Sequence, residues 1–220
     1  GVPWADGGDS KWQYAHAFLI LAAATATNAN RPGAHELLQD ALAGQMLHWY
    51  DEENGLVADR YSRDWSVCEP YRGMNSLMHT VEAYLAASEA VQDIEWIQRA
   101  ERMLGFAYLE ASHYSWRVPE HHDAEWRPLL DFNKDDPNVP HYPYGFVIGH
   151  GMELARLGVQ LRGALREEGL KEPAYLGQGS IELFERARKD GWRRNGKPGF
   201  VHTTDFEGNP VLTERLQWVL

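Results

Sequence analysis

The chain has 220 residues, 44% hydrophobic and 24% charged, enough apolar material for one large folded domain and too much for a disordered chain. Its net charge of -11 and pI near 5.3 argue against a nucleic-acid footprint or an anionic membrane surface, since either needs clustered Lys and Arg. A single cysteine, Cys68, excludes an intrachain disulfide framework and suits a reducing compartment. The chain opens with no cationic, then apolar, leader, and the run Phe18 to Ala24 is far shorter than the roughly 18 apolar residues of a membrane span. The expectation is a soluble cytoplasmic protein with neither a nucleic-acid nor a membrane partner. Nine Trp, ten Tyr and seven Phe exceed what a helical core needs, and aromatic faces suit the C–H faces of a sugar ring, although most will pack.

Asp9 or Ser10 can cap a first helix over 11–27, whose stripe of Tyr14, Phe18, Leu21 and Ala22 reads as its buried face. A turn at 28–33 leads to a second helix over 34–49, with Leu37, Leu38, Ala41, Leu42 and Leu47 apolar. Asn54-Gly55 marks a tight turn before a short extended piece. A second helix pair covers 74–91 and 94–112 and runs into an extended aromatic segment, 114–119. After a long polar loop, a third pair covers 149–167 and 174–189, followed by 191–196 and a short extension at Phe200-Val201. A last helix begins near Val211 and still looks helical at Leu220. The order helix, helix, hairpin-like loop thus occurs three times, at a spacing of roughly 65 to 75 residues. Antiparallel pairs of this kind predict an all-α curved or closed double layer whose inner helices line a cavity.

Two stretches carry chemistry. In Tyr142 to Leu157, Pro143 and Gly145 delay a helix that begins near His150, placing His150 and Glu153 one turn apart on one face. A histidine in a first helical turn feels the positive end of the helix dipole and is expected to stay neutral, able to accept a proton near pH 7. The arrangement recurs in Glu69 to Ala83, where an aromatic, Pro and Gly segment leads into a helix bearing His79 and Glu82. The doubled His-x-x-Glu reads as one shared polar site within reach of a single monosaccharide, with two unrelated structural pairs or metal ligands as alternatives. Di-iron bundles use Glu-x-x-His with further Glu ligands on other helices, an order not matched here. His121-His122-Asp123 reads as a solvated loop rather than a metal site, because adjacent residues point in different directions.

With these residues in view, the chain resembles the N-acylglucosamine 2-epimerase superfamily, and within it the mannose isomerase and sulfoquinovose isomerase branch. The resemblance rests on Lys11 to Phe18, Arg72 to Ala83, Pro143-Tyr144-Gly145 leading into Gly149-His150-Gly151-Met152-Glu153, and Thr203-Thr204-Asp205-Phe206 through Arg215-Leu216-Gln217-Trp218. It implies an (α/α)6 toroid, incomplete here, binding a monosaccharide at the inner-helix ends and moving protons without metal or cofactor. It makes His150 an acid/base residue, with His79 and Glu153 beside it in the catalytic set, and it assigns Tyr14, Arg72, Asn75, Glu82 and Trp218 to substrate binding. Leu154 stands where the family often has Trp, and Leu77 replaces a frequent Asn, which points to extra room behind the His150 helix and an altered substrate preference. The family's substrate-binding Arg falls upstream of Gly1 and its second acid/base His downstream of Leu220, so residues 1–220 are expected to be the central part of one longer toroid domain, or to be closed by another chain in a homo-oligomer.

The residue types fit that chemistry. Moving a carbonyl from C1 to C2 of an aldose requires removal of the C2 proton, a stabilised cis-enediol and return of a proton to C1. A neutral His suits the first step, Glu can hold its tautomer or bind hydroxyls, and Asn or Arg can hydrogen-bond an enediolate. Return of the proton to the opposite face of C2 gives epimerisation instead. The readings that remain open are an aldose–ketose isomerase of mannose-like sugars, a 2-epimerase of N-acylglucosamine or related sugars, and an inactive sugar-binding fragment.

Overall fold

Ala- and Leu-rich runs free of proline dictate the helices, and Gly, Pro and Asn dictate where they stop. In the computed structural model, which describes residues 10–214, these runs form six α-helices among the described residues, joined by strands of only two or three residues. The chain divides into two compact units, and the division falls inside the fourth helix. One unit holds the residues up to Met103 with Asp123–Trp126, and the other holds Leu104–His122 and the residues from Arg127 on.

In the first unit, helix α1 (Gln13–Asn28) packs against α2 (Ala34–Gly44) and α3 (Met74–Val91). The buried face of α1 is Gln13, Ala17, Ile20, Ala23 and Ala24, whereas Tyr14 and Phe18 are 39% and 36% exposed. The expected stripe is therefore rotated. Alanines let two neighbouring helices approach α1 closely, and the large rings are displaced to its rim. Gln13 joins that core because its amide donates to Gln45 Oε1 at 3.0 Å and to Thr80 Oγ1 at 2.8 Å.

Helix α2 ends at Gly44, earlier than its sequence pattern suggests, and passes into a π-helical turn over Gln45–Trp49. The wider turn brings Gln45 and Trp49 inward and leaves Leu47 75% exposed, so Leu47 is not a core residue. Strands β1 (Ser10–Trp12) and β4 (Arg60–Ser62) pair antiparallel, and β2 (Tyr50–Asp51) and β3 (Leu56–Val57) form the hairpin expected at Asn54-Gly55, with Gly55 at φ +69°. Ser10 belongs to a strand rather than a cap, and Asp9 lies outside the described residues. Strand β5 (Tyr71–Gly73) leads directly into α3. The first half of α4 (Glu95–His113) adds Trp96, Ile97, Ala100 and Met103 to this core.

In the second unit, α5 (Ile148–Glu167) packs on α6 (Ala174–Gly191), and the latter half of α4 buries Tyr108 against both. The Tyr108 hydroxyl donates to Leu154 O at 3.0 Å and shares a 2.9 Å hydrogen bond with Ser180 Oγ. Gly158 and Gly179 make room for it: a Cβ on Gly158 would overlap the Tyr108 hydroxyl and Ser180 Oγ, and one on Gly179 would lie 2.5 Å from Tyr108 Cδ2. Gly158→Ala is expected to lower unfolding stability by about 1–3 kcal/mol through overpacking, measured as a shift of the urea midpoint at constant slope. An unchanged midpoint would mean that the contact between the two helices yields freely.

Strand β6 (His121–Asp123) follows α4, and strands β7 (Phe146–Val147), β8 (Thr203–Thr204) and β9 (Pro210–Leu212) form an antiparallel sheet in the order β7-β8-β9. Two expectations fail here. The first half of 114–119 turns rather than extends, with Ser115 and Trp116 at φ +56° and +66°, because Trp116 N–H reaches back to Ala111 O and closes the end of α4, and residues 117–119 join no strand. The helix expected from Val211 is strand β9 at its start, held by His202 N–H donating to Leu212 O at 2.8 Å, and its remainder from 215 lies outside the described residues.

Candidate active site

The start of α5 is fixed by the sheet that precedes it. Phe146 and Val147 pair with Thr204 and Thr203, and Ile148 N–H donates to His202 O at 3.1 Å. Gly145 makes this register possible: its φ is +91°, and a Cβ there would overlap Thr204 O. Helix α5 therefore opens at Ile148, and His150 sits in its first turn, as the sequence predicts.

Glu120 meets His150 there. This buried carboxylate takes the Val147 N–H on Oε1 at 3.2 Å, while Oε2 lies 2.7 Å from His150 Nδ1. Burial pulls the His150 pKa down, but the Glu120 charge and hydrogen bond, with the Glu153 charge added, outweigh it and leave the imidazole above its ordinary 6.5. The expectation of a dipole-depressed, readily neutral histidine is corrected: a carboxylate in contact outweighs the partial charge of a helix end. Glu153 does not hold the tautomer either. It lies one turn on, where Arg156 Nη2 donates to its Oε1 at 3.3 Å.

The reading of His121-His122-Asp123 as a solvated loop also fails, since both histidines are buried. His121 Nε2–H donates to Pro143 O at 2.9 Å, and burial holds its pKa below the ordinary value despite that bond and the Glu120 charge. Leu154, expected to shape a pocket, is fully buried with its carbonyl bound by Tyr108, and Leu77 is fully buried as well. Extra bulk at Leu154 would act on packing. Glu120 itself was missed: the only cue was an acid beside two histidines, 30 residues from His150.

In the first unit, α3 presents His79 and Glu82 one turn apart, with His79 Nδ1 3.2 Å from Glu82 Oε2. The His79 ring is buried against the aromatic rim of α1, edge-on to Tyr14 at 5.2 Å and tilted on Phe18 at 4.7 Å. This explains why Tyr14 and Phe18 leave the α1 core. Asn75 is half-buried in the first turn of α3. Arg72 is tied to backbone, its Nη1 donating to Glu69 O and Tyr71 O at 2.8 Å each. Trp218 lies outside the described residues.

A second buried acid supports the start of α3. Burial raises the Asp59 pKa to about 6, against hydrogen bonds from Ser76 and the Gly73 N–H and the Arg72 charge. In the fold Asp59 keeps its proton to about pH 6, whereas unfolded it loses it near 3.8, so stability falls as pH rises between these values. The span corresponds to about 3 kcal/mol. Asp59→Asn should flatten the decline in thermal midpoint between pH 4 and 6, and an Asn variant that keeps the wild-type slope would assign it elsewhere.

The N-acylglucosamine 2-epimerase (GlcNAc 2-epimerase) family model matches residues 5–220. D-Mannose isomerases of Thermobifida fusca and Pseudomonas cannabina pv. alisalensis are 42% and 38% identical over 211 and 216 residues, 96% of this chain and 51% of each relative. A crystal structure of D-mannose isomerase matches with a TM-score of 0.87 at 27% identity, over 96% of this chain and 52% of that one. The cellobiose 2-epimerase of Spirochaeta thermophila shares the fold, with a TM-score of 0.74 at 16% identity over 93% of this chain and 49% of its own. The chain thus spans about half the length of the relatives it matches, and its helix pairs have the fold of part of an (α/α)6 toroid. Among the described residues no helix is long and apolar enough to cross a membrane. By this match across nearly its whole length, the chain belongs to the N-acylglucosamine 2-epimerase family.

Proposed function

We propose that this chain forms the central part of a cytoplasmic aldose–ketose isomerase acting on mannose or a closely similar free sugar, with the rest of one toroid domain supplied by a longer polypeptide or a second copy. The observation that carries the reading is the 42% identity to a D-mannose isomerase along 96% of the chain. His150, held against Glu120, supports it as a group able to take a proton.

In the reaction proposed, His150 removes the proton from C2 of the open-chain aldose. Electrons from that C–H bond form the C1–C2 double bond, O1 gains a proton, and a cis-enediol results. Return of a proton to C1 with loss of the O2 proton gives the ketose, so atoms and charge balance without a co-reactant. Glu153, already partnered by Arg156, contacts sugar hydroxyls, as do Tyr14, His79, Asn75 and Glu82. Arg72 supports the α3 end, with Trp218 added to the binding set. A second acid/base group from outside residues 1–220 returns the proton.

The second reading, 2-epimerisation, is favoured by the name of the matching family and needs that second base on the opposite face of the enediol. Product analysis after incubation with mannose separates the two. Fructose as the first product supports isomerisation, glucose without fructose supports epimerisation, and neither product rejects both.

A further inference from the structure

We propose that Glu120 is a positioning residue that fixes the proton of neutral His150 on Nδ1, so that Nε2 is the atom that takes and gives protons. The use of Nε2 as a base rests on the isomerase reading; the tautomer does not. A carboxylate only accepts, and both Glu120 oxygens are engaged on the β7–α5 junction: Oε1 by the Val147 N–H at 3.2 Å and Oε2 by His150 Nδ1 at 2.7 Å. The Val147 N–H can only donate, so Oε1 is committed to it. His150 Nδ1, at charge-assisted distance from Oε2, must then carry a hydrogen, which leaves Nε2 with its lone pair when the ring is neutral.

Burial makes the arrangement hard to escape. The Glu120 side chain is 3% exposed, so water cannot substitute for either donor, while the His150 side chain keeps 20% of its surface. The charged groups acting on the ring are Glu120 from the loop after α4, Glu153 from α5 and His121 from β6, which shares the Glu120 field. Among the described residues, only Glu120 is hydrogen-bonded to it. The same carboxylate therefore locks the β7 backbone and the imidazole together, and the direction of the Nε2 lone pair is set by where β7 ends.

This gives Glu120→Gln a specific consequence. An amide has one acceptor, which the Val147 N–H requires; its NH2 then faces Nδ1 and forces that nitrogen to accept. Neutral His150 would move its proton to Nε2, and loss of the negative charge would lower its titration midpoint by about one pH unit or more. Glu120→Asp keeps two acceptors and should keep the Nδ1–H tautomer.

The test is 15N NMR of histidine-labelled protein, in the form its whole coding sequence encodes, with the His150 resonance assigned by His150→Gln. The wild type is expected to titrate above pH 6.5 and to show a protonated Nδ1 when neutral. In Glu120→Gln the tautomer inverts and the midpoint falls; in Glu120→Asp the tautomer is retained. On mannose, Glu120→Gln should lower kcat far more than it raises KM, with partial recovery in Glu120→Asp. An Nε2–H tautomer in the wild type overturns the proposal without reference to any variant, as does a Glu120→Gln protein with unchanged tautomer and midpoint. If the NMR pattern follows Glu120 but no sugar is converted, the isomerase reading fails and the tautomer assignment stands.

Discussion

His150→Ala is expected to lower the turnover of mannose by about 100- to 10,000-fold, the range typical for loss of a general acid or base, in protein that remains folded at the assay temperature. Its loss also leaves the buried Glu120 carboxylate without its Nδ1 donor, so the melting temperature should fall, and a rate defect far larger than the unfolded fraction explains is the signature of a proton-transfer residue. His121→Ala provides the contrast. That ring is buried and bonded to Pro143 O, so its loss should act on stability more than a direct role in proton transfer would require. Steady-state kinetics with a melting curve on each variant check both outcomes. A His150→Ala protein that keeps a tenth or more of wild-type kcat would remove His150 from the chemistry.

Gly145→Ala should have the second largest effect, and by a different route. At φ +91° an L side chain is strained by roughly 1–2 kcal/mol before any contact is counted, and the added Cβ would overlap Thr204 O. Relief requires β7 to move off β8, and β7 carries the Val147 N–H that Glu120 binds and begins the helix that aims His150. The expected result is a destabilisation of about 2–4 kcal/mol together with a loss of kcat even well below the melting temperature. Chemical denaturation and kinetics at low temperature measure the two parts. Loss of stability with full kcat would show that the sheet does not aim the histidine.

The helices were legible because their signals are local. Pro143, Gly145 and Gly149 marked where α5 begins, Asn54-Gly55 marked its hairpin, and three helix pairs stood out by periodicity. The failures share a cause in contacts distant along the chain. Tyr14 and Phe18 read as core until His79, more than 60 residues away, gave their rings another place. Val211 read as a helix start, but three apolar residues suit a strand equally well once β8 offers its edge. At the site, the His-x-x-Glu spacing drew attention to Glu153, the acid nearest His150 in its helix, whereas Glu120 makes the contact. An i, i+3 pair shares a face, but the direction of a ring decides which acid it reaches.

In the function proposed, a proton moves between adjacent carbons of a free sugar and His150 carries it. The most direct measurement follows mannose by proton NMR in deuterium oxide, using the polypeptide its coding sequence encodes alongside its His150→Ala variant. The wild type is expected to form fructose and to exchange hydrogen at C1 or C2 during turnover, with both signals lost in the variant. Wild-type protein that neither converts mannose nor exchanges its C2 proton, or a variant that does both at the wild-type rate, would contradict it.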